Sequence, residues 1–302
     1  MARVSIHRGK QKIMNTIMQK EDTGFQYAII VPCYNEEKRF PFAAFLSFAR
    51  QHPEVLLCFV NDGSKDKTLN VLLGLQTESP DNVCIHDLKQ NGGKAEAVRQ
   101  GMLFIHQKTR VRLLGFLDAD LATTPEEWLE IAHYKDARPQ FGAIVGSRIP
   151  RLGASINRDE SRSLFSSIIK KFIRKILKTP FQDTQCGAKI FQRDLVPFLF
   201  SKPFMTPWLF DVEIFLRLQQ KFGSTTLQKG VLEYPLMHWM EVGDSRLKLK
   251  DTIKIPMQLI RLHYQYNISK KLITKSGYSL FDVHNNVTVL KRTVKNAVAL
   301  FL

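Results

Sequence analysis

Short apolar runs alternate with longer mixed segments in the first half of the chain. Each run ends at a loop of glycine or polar residues, which is typical of buried strands, and Pro32 is expected to end the first. Strands alternating with helices across short loops predict an α/β fold with a doubly wound, mostly parallel sheet. The predicted strands cover residues 27–31, 55–60, 83–86, 112–117 and 142–146, and the predicted helices cover residues 36–50, 94–105 and 126–137.

The pattern changes after residue 150. Residues Ser161–Lys178 carry two rows of apolar residues at helical spacing with basic residues on the other side, which predicts a basic amphipathic helix. Further helices are predicted at Trp208–Phe222 and around Leu290, and basic and apolar residues are interleaved from Arg246 onward. The predicted regions are a basic extension at 1–24, the α/β domain at 25–240 and a basic amphipathic C-terminal segment at 241–302.

The fourth apolar run ends in two carboxylates, Asp118 and Asp120. Since residues i and i+2 of a strand point to the same side, these side chains can converge on one point. In open α/β sheets the carboxyl ends of the strands are where ligands bind. Two converging carboxylates there suit Mg²⁺ or Mn²⁺, with water and substrate phosphate as the other ligands. The alternative is that the pair begins a turn and caps the helix near Pro125.

The net charge of the chain indicates what kind of partner it binds. The chain has 302 residues, is 44% hydrophobic, which is enough for a substantial core, and carries a formal charge of +16. That charge predicts an anionic partner, such as a nucleic acid, an acidic lipid headgroup or a phosphate-bearing substrate. The four cysteines are scattered without metal-ligand spacing, as in a reduced intracellular protein. We expect a cytoplasmic location, because no apolar run suits a signal peptide or a membrane span.

Six short motifs follow one another along the chain in an informative order. They are Pro32–Glu37 (PCYNEE), Asn61–Asp66 (NDGSKD), Asn91–Lys94 (NGGK), Asp118–Asp120 (DAD), Gly146–Arg148 (GSR) and Asp183–Gly187 (DTQCG). In this order the chain resembles the family 2 glycosyltransferases of GT-A fold, which have a Rossmann-like, doubly wound sheet. Trp208–Glu213 and Gly243–Leu247 narrow the resemblance to the dolichyl-phosphate β-glucosyltransferases and their bacterial polyprenyl-phosphate relatives. The resemblance covers residues 27–265.

The resemblance implies a nucleotide-sugar site at the ends of the first four strands. Asp62 would contact the base or ribose, because the preceding position, an aspartate in many family members, is Asn61 here. Asp118 and Asp120 would hold a Mg²⁺ or Mn²⁺ ion that neutralises the leaving diphosphate. Ala122 stands where mannosyl-transferring relatives often carry a polar metal ligand, which favours a UDP-sugar over GDP-mannose. The residues assigned to donor binding are Pro32, Tyr34, Glu36, Asp62, Lys94, Asp118, Ala119 and Asp120.

The acceptor side is assigned to residues that follow the fifth strand. The guanidinium of Arg148 would contact phosphate, either of the acceptor or of the diphosphate. The resemblance places Asp183 beside the acceptor, as a general base or as a group that orients it. A lipid phosphate, with a second pKa near ~6, is a nucleophile at neutral pH without a base, whereas a sugar hydroxyl needs one. The assigned acceptor residues are Arg148, Asp183, Gln185 and Asp211, and the assigned catalytic residues are Asp183, Arg148 and Asp120.

These features predict an inverting, metal-dependent transferase that moves a hexose, foremost glucose, from a UDP-sugar to a polyprenyl or dolichyl phosphate. The helix at 161–178 and the basic segment at 246–271 predict peripheral contact with the cytoplasmic face of a membrane. Within the family, the alternative is a soluble enzyme that extends a cell-surface glycan with Asp183 as general base.

Two readings from other classes fit the sequence less well. A nucleic-acid-binding protein is disfavoured because the basic residues form no recognisable recognition module. An inactive nucleotide-sugar-binding protein is disfavoured because the carboxylates of the motifs are intact. The possibility that Asp211 and Glu213 make structural pairs, rather than line an acceptor pocket, stays open at this point.

Overall fold

The computed structural model describes residues 24–149, 152–157, 171–177, 181–223, 227–240 and 249–268. Four predicted features lie outside these residues: the basic extension up to residue 23, most of the helix at 161–178, the Gly243–Leu247 motif and the helix around Leu290.

Strands and helices alternate through the first half of the chain, as the hydrophobic pattern predicts. The strands are β1 Tyr27–Cys33, β2 Val55–Asp62, β3 Val83–Leu88, β4 Leu113–Phe116, β5 Ala143–Ser147, β6 Ser155–Asn157, β7 Lys189–Gln192, β8 Val231–Pro235 and β9 His238–Met240. The α-helices are α1 Phe42–Gln51, α2 Thr68–Glu78, α3 Lys94–Lys108, α4 Pro125–Asp136, α5 at 171–177, α6 Val196–Phe200, α7 Phe210–Phe222, α8 Leu227–Gly230 and α9 Leu249–His263. A 3-10 turn at Arg193–Leu195 precedes α6, and a π-helical turn at Tyr264–Ile268 follows α9.

Seven strands form one sheet, in the order β3-β2-β1-β4-β7-β5-β8. β7 runs antiparallel to both of its neighbours, and the other neighbouring pairs are parallel. This mostly parallel sheet with helices on both faces confirms the predicted α/β fold. β6 and β9 pair in parallel as a separate two-stranded sheet. The hydrophobic pattern predicts none of β6 to β9, because each is short and lacks a continuous apolar run.

Both faces of the large sheet are buried. Ala28 and Ile30 of β1 lie in one apolar cluster, and Ile29 and Val31 lie in the other, as strand alternation requires. Helices α3, α6 and α7 contribute to the first cluster, and α1, α2 and α4 contribute to the second. Because strands covered on both faces bury nearly every side chain, β1 and β2 appear in the sequence as continuous apolar runs.

The prediction that Pro32 ends the first strand is wrong. β1 continues to Cys33, and Pro32 pairs in register with Val60 of β2. A proline lacks the N–H that a central strand donates to its neighbour. β4 pairs with β1 only as far as Ile30, so β1 has no neighbouring strand on that side at Pro32.

The first helix begins later than predicted. α1 starts at Phe42 rather than at Glu36, and residues 36–39 form a turn in which the Arg39 N–H donates to the Glu36 carbonyl. Pro41 disfavours helical backbone at the residue before it, which prevents one continuous helix. The turn leaves the Glu36 N–H to donate to Thr68 Oγ1 at 2.7 Å, so the loops after β1 and β2 stay together.

In the described parts of the two basic helices, three apolar residues of each pack into the protein's own core. The buried residues are Ile173, Ile176 and Leu177 of α5 and Ile255, Leu259 and Leu262 of α9. Tyr266, in the turn after α9, donates its hydroxyl to the buried Glu213 carboxylate of α7 at 2.8 Å. None of the helices in the described part of the chain combines the length and the apolar character that a membrane crossing requires.

Gly115, on β4, has no room for a side chain. It lies opposite Ile190 of β7, and a methyl group added to it would lie 2.9 Å from the Ile190 Cα. Because backbone in a central strand cannot move aside without breaking the ladder, we expect Gly115→Ala to lower the free energy of unfolding by about 3 kcal/mol. Urea-induced unfolding measures the change.

Gly74→Ala is the matched control. Gly74 lies in α2, where the added methyl group would meet the Phe42 ring at 3.7 Å, an ordinary contact. This substitution should leave stability within about 1 kcal/mol of the wild type, or raise it. Equal destabilisation of the two variants would contradict the steric explanation.

Candidate active site

Loops gather at one edge of the large sheet. Five of them follow the parallel strands β1 to β5, whose carboxyl ends share that edge. A sixth, at residues 181–188, joins them by preceding β7, because the amino end of an antiparallel strand lies where its neighbours have their carboxyl ends. This crevice is where the sequence motifs predict donor and acceptor binding.

The loops after β1 and β2 are tied together. The Asn35 N–H donates to Ser64 Oγ at 3.0 Å, and its side-chain oxygen accepts the Lys65 N–H at 2.9 Å. Asn35 has φ of 52°, a left-handed conformation that asparagine tolerates better than most residues do. The Glu36 carboxylate is buried and held by Arg39, at 2.5 Å from Nε to Oε2. Polar contacts between the two loops therefore hold this side of the crevice together.

Asp62 organises the loop that leads into α3. Its carboxylate is buried and accepts the Gly92 and Gly93 N–H groups, each at 2.8 Å, and the Asn91 side-chain amide at 2.9 Å. Burial raises the pKa of Asp62, and the two glycine N–H groups offset part of that rise. Gly93 has φ of 84°, which glycine adopts without strain. Both oxygens of Asp62 thus have protein partners, and its contact with a nucleotide stays a prediction.

Asn61 presents a buried acceptor at the same strand end. Its side-chain amide donates to Asp87 Oδ1 at 2.7 Å. Its own Oδ1 is buried, and none of the described residues donates a hydrogen bond to it. Buried polar atoms are nearly always paired, so this oxygen marks a place where a ligand N–H would fit.

Asp118 follows β4 and Asp120 lies in the turn after it, so neither residue is in the strand itself. β4 ends at Phe116, so the prediction that strand alternation aligns the two side chains is wrong. The two carboxylates nevertheless interact: burial raises the pKa of Asp120, and the charge of Asp118 raises it further.

The alternative, that Asp118 and Asp120 begin a turn and cap the next helix, is correct in one part and wrong in the other. Asp120 Oδ1 accepts the Ala122 N–H at 3.0 Å in a turn. The helix cap, however, is Thr124, which accepts the Glu127 N–H at the start of α4.

Lys94, the first residue of α3, pairs with Asp118, and its Nζ lies 2.5 Å from Asp118 Oδ1. Burial alone would lower the pKa of Lys94, but the Asp118 carboxylate raises it overall. Burial alone would raise the pKa of Asp118, but the charges of Lys94, Lys189 and Arg148 lower it overall. Asp118 is therefore ionised and compensated, whereas the raised pKa of Asp120 reflects a negative charge without full compensation.

The two carboxylates fit a divalent cation that takes its other ligands from solvent and substrate. Within the described ranges, no group of three or more acidic, histidine or cysteine side chains is arranged to hold a metal ion. Mg²⁺ sites in phosphate chemistry commonly use one or two carboxylates, completed by water and phosphate oxygens. A cation would also relieve the repulsion that raises the pKa of Asp120 beside Asp118.

The loop before β7 packs directly against Asp118. A methyl group added at Gly187 would lie 2.6 Å from Asp118 Cγ, so the carboxylate rests on the Gly187 backbone. Space, rather than backbone freedom, is what requires glycine here. The contact joins the DAD and DTQCG motifs into one surface.

Arg148 and Asp183 form a bidentate ion pair in which Asp183 is buried. Arg148 Nε and Nη2 lie 2.6 Å and 2.8 Å from the two carboxylate oxygens, and the Arg148 backbone N–H donates at 3.0 Å. Burial alone would raise the pKa of Asp183, but the hydrogen bonds and charge of Arg148 lower it far below its usual range. Glu233 of β8 accepts the Asp183 N–H at 2.7 Å and so holds the backbone. A carboxylate with such a low pKa is a poor proton acceptor near neutral pH.

The strand β9 borders the crevice. The Glu127 carboxylate of α4 accepts the backbone N–H groups of Met237 and His238, the latter at 3.0 Å. The Trp239 ring lies 5.2 Å from the Arg148 guanidinium carbon, a cation–π contact. β9 therefore reaches the acceptor side from a position fixed by α4.

Sequence reasoning missed Lys189, Glu233 and Glu127. Lys189 is fully buried, and its Nζ lies 2.6 Å from Asp211 Oδ1. Each of the three is a single charged residue in a strand or helix, and its partner lies elsewhere in the chain. No spacing in the sequence identifies such a residue.

The remaining predicted residues have varied surroundings. Pro32 and Tyr34 flank Cys33 at the end of β1 and are partly exposed, whereas the Ala119 side chain is buried in an apolar cluster. The Gln185 N–H donates to Asp183 Oδ1 at 3.3 Å. The crevice brings together Lys94, Asp118, Asp120, Arg148 and Asp183, while Asp62 and Asp211 have protein partners of their own.

Comparison with known proteins agrees with this arrangement. The profile of glycosyl transferase family 2 matches residues 28–200. A dolichyl-phosphate beta-glucosyltransferase of Trichomonas vaginalis is 31% identical over 245 residues, covering 77% of this chain and 69% of that protein. One from Dictyostelium discoideum is 26% identical over 279 residues, covering 87% of this chain and 82% of that protein.

A solved structure has a similar fold. It is glucosyl-3-phosphoglycerate synthase from Mycobacterium tuberculosis in complex with Mn²⁺, UDP-glucose and phosphoglyceric acid, with a TM-score of 0.58 and 14% identity over 82% of each chain. At that identity the likeness concerns the fold, and it confirms the predicted GT-A architecture. The chain belongs to glycosyl transferase family 2 and is a glycosyltransferase.

The contact between Gly187 and Asp118 yields a prediction. Gly187→Ala would push a methyl group into the Asp118 carboxylate and displace it. We expect the affinity for UDP-glucose in the presence of Mn²⁺ to fall at least about tenfold, as when other supports of metal ligands are removed. Isothermal titration calorimetry measures the affinity, and Gly74→Ala is again the control. Unchanged affinity in a folded Gly187→Ala variant would contradict the assignment of Asp118 to the donor site.

Proposed function

We propose that this glycosyltransferase moves glucose from UDP-glucose to a dolichyl or polyprenyl phosphate with inversion at the sugar carbon. The observation that carries the proposal is the Arg148–Asp183 ion pair. A hydroxyl acceptor requires a general base, and Asp183 is too weak a base for that role while it is paired with Arg148. The relatives that align along most of this chain are named dolichyl-phosphate beta-glucosyltransferases, which agrees with a phosphate acceptor.

The alternative, a soluble enzyme that extends a cell-surface glycan, needs Asp183 to take a proton from a sugar hydroxyl. Both oxygens of Asp183 accept hydrogen bonds from Arg148, and its pKa is far below the usual range. Proton transfer to so weak a base is unfavourable. Asp183 therefore serves to orient Arg148 in this proposal.

The acceptor phosphate itself supplies the attacking oxygen. A bond forms between that oxygen and the anomeric carbon, while the bond from this carbon to UDP breaks and its electron pair leaves with UDP. No proton is transferred, because the phosphate is already ionised at neutral pH, with a second pKa near ~6. A guanidinium carries five N–H groups, so Arg148 can hold Asp183 and contact the acceptor phosphate with the same side chain.

The donor nucleotide is assigned to the ends of β1 and β2. Asn61 Oδ1 is a buried acceptor that lacks a partner among the residues the structure describes, and the imide N–H of uracil is a donor that suits it. Asp62 supports the neighbouring loop from the same strand end. This division of roles between Asn61 and Asp62 favours a uridine nucleotide at this edge.

Asp118 and Asp120 are proposed to hold Mg²⁺ or Mn²⁺, which when bound would neutralise charge on the leaving diphosphate. Lys94 lies beside Asp118, so its ammonium can add to the positive charge that meets the diphosphate. The solved relative in fold contains Mn²⁺ together with UDP-glucose, in agreement with this assignment.

We also infer peripheral contact with the cytoplasmic face of a membrane. The acceptor is a lipid, and the formal charge of +16 attracts anionic headgroups. On α9, Met257 is 57% exposed, while Leu259 packs into the core. The four cysteines are all buried thiols, as in proteins of reducing compartments.

A partition assay tests the reaction. Labelled UDP-glucose or GDP-mannose is incubated with polyprenyl phosphate and Mn²⁺, and label in the organic phase is counted. We expect transfer from UDP-glucose, abolished by EDTA and lowered at least about 100-fold by Asp120→Ala, because charge stabilisation on the leaving diphosphate is lost. Asp81→Ala, an exposed carboxylate before β3 at the opposite edge, is the control.

The possible outcomes of this assay separate the parts of the proposal. Label that stays in water while UDP still binds in a metal-dependent way would exclude the lipid acceptor. Transfer that persists in EDTA and in Asp120→Ala would exclude the metal assignment. Preference for GDP-mannose would overturn the assignment of Asn61 to uracil.

The pH dependence of the rate should reflect protonation of the acceptor phosphate rather than protonation of the Asp183 carboxylate. Because the folded protein lowers the pKa of Asp183, its ion pair with Arg148 is present above the unfolded pKa and is lost only when pH falls through the folded value. We expect kcat/KM for the acceptor to fall below about pH 6, where its phosphate takes a second proton.

A phosphonate acceptor provides the test, since its second pKa is higher. With it, the acidic limb of the pH profile should move to higher pH. Asp183→Asn should lower the rate at every pH, because Arg148 loses its orienting partner, and should leave the limb in place. A limb that disappears in Asp183→Asn would identify Asp183 as the base.

A further inference from the structure

A fully buried lysine lies beneath the crevice and has no role in the chemistry proposed above. Lys189 is the first residue of β7, and its relative exposure is 0%. Its ammonium lies 2.6 Å from Asp211 Oδ1 and 2.5 Å from the Cys186 carbonyl oxygen. Burying an ammonium costs free energy even when it is paired, so this position is unusual for a lysine.

The Cys186 carbonyl links Lys189 to the turn that supports Asp118. The next residue, Gly187, has its backbone against the Asp118 carboxylate, where an added methyl group would lie 2.6 Å from Cγ. A hydrogen bond to the carbonyl just before this contact fixes the turn from below. The position of Asp118 therefore depends on a loop that Lys189 holds.

Lys189 also contacts the strand that leads to Asp118. Its Nζ lies 5.4 Å from the centre of the Phe116 ring, and the two residues are opposite each other in the pairing of β7 with β4. Phe116 is the last residue of β4, two positions before Asp118. One side chain thus touches both segments that determine where Asp118 lies.

Asp211, the counter-charge of Lys189, lies on helix α7, which other polar contacts hold in place. It lies in the first turn of α7 and is buried. Two residues further on, Glu213 pairs with Arg217 at 2.8 Å and accepts the Tyr266 hydroxyl at 2.8 Å. Asp211 therefore reaches Lys189 from helix α7, and Tyr266, in the turn after α9, helps to hold that helix in position.

We propose that Lys189 is a positioning residue for the donor site: it holds the Cys186–Gly187 turn, and through it the Asp118 carboxylate, where a metal-bound diphosphate is received. This inference rests on the proposed function, because the metal-bound diphosphate is part of that proposal. Asp211 serves the crevice by compensating Lys189 rather than by touching the acceptor.

A double-mutant cycle separates positioning from simple stabilisation. The variants are Lys189→Met, Asp211→Asn and the two combined. Lys189→Met leaves a buried carboxylate without its partner and lowers the melting temperature, whereas the double variant removes both charges and regains most of that loss. Asp211→Asn leaves a buried ammonium without its counter-charge and so also lowers the melting temperature. It keeps the hydrogen bond from Lys189 to the Cys186 carbonyl, so it should change the Mn²⁺ dependence of UDP-glucose binding least.

The decisive quantity is the Mn²⁺ concentration that gives half-maximal binding of UDP-glucose, measured by titration calorimetry without acceptor. We expect this concentration to rise about 10- to 100-fold in Lys189→Met, the range found when supports of metal ligands are removed. It should stay raised in the double variant although the melting temperature recovers. If stability and Mn²⁺ dependence recover together, the ion pair is structural and the inference is wrong.

Lys135→Met is the matched control, because Lys135 is also a buried lysine, at 2% exposure, near the end of α4. Its removal should leave the Mn²⁺ dependence unchanged. The wild-type titration distinguishes this inference from the proposed function. Wild-type protein that binds UDP-glucose without regard to Mn²⁺ overturns the metal assignment itself. Metal-dependent wild-type binding together with a wild-type-like Lys189→Met overturns only the role of Lys189.

Discussion

The direction of one short strand determines how this crevice is built. β7 runs antiparallel between β4 and β5, so the residues that precede it reach the edge where the parallel strands end. Asp183 and Gly187 thereby meet Arg148 and Asp118, which come from loops that follow their strands. The close approach of β7 to Gly115 is part of the same constraint, since a side chain there would separate the two strands. The proposed donor and acceptor sides both depend on this single reversal.

Most acidic groups around the crevice are compensated by the protein itself. Asp183 pairs with Arg148, Asp211 with Lys189, and Asp62 accepts backbone N–H groups. These partners hold the three carboxylates in place, so they shape the site. The pKa of Asp183 is in addition lowered by Arg148, which makes it a weak proton acceptor. Asp120 differs from Asp118 and Asp183, whose pKa values are lowered, because burial and the charge of Asp118 raise its pKa. The charge pattern therefore favours chemistry driven by charge neutralisation over chemistry driven by proton transfer.

The sequence predicts those parts of the structure that arise from local patterns. Continuous apolar runs locate β1 to β5, because strands covered on both faces bury almost every side chain. The motifs locate the strand ends, and Asp118, Arg148 and Asp183 lie together as their order implies. Strand alternation does not explain why Asp118 and Asp120 interact, since both follow the end of β4 and Asp120 lies in a turn. Lys189, Glu233 and Glu127 could not be predicted, because each acts on a segment distant along the chain or through backbone atoms.

The contact of Asp62 with the two glycines before α3 has a consequence for anion binding at the start of that helix. The amino end of a helix ordinarily attracts phosphate through its dipole and its N–H groups. Here a carboxylate of the protein already lies at that end, held by the Gly92 and Gly93 N–H groups. The Gly92 and Gly93 N–H groups are therefore engaged by Asp62 and are not available to a phosphate at this helix start. An anion bound at this helix start would therefore be met by side-chain charge, such as the Lys94 ammonium, rather than by the amide groups of the helix.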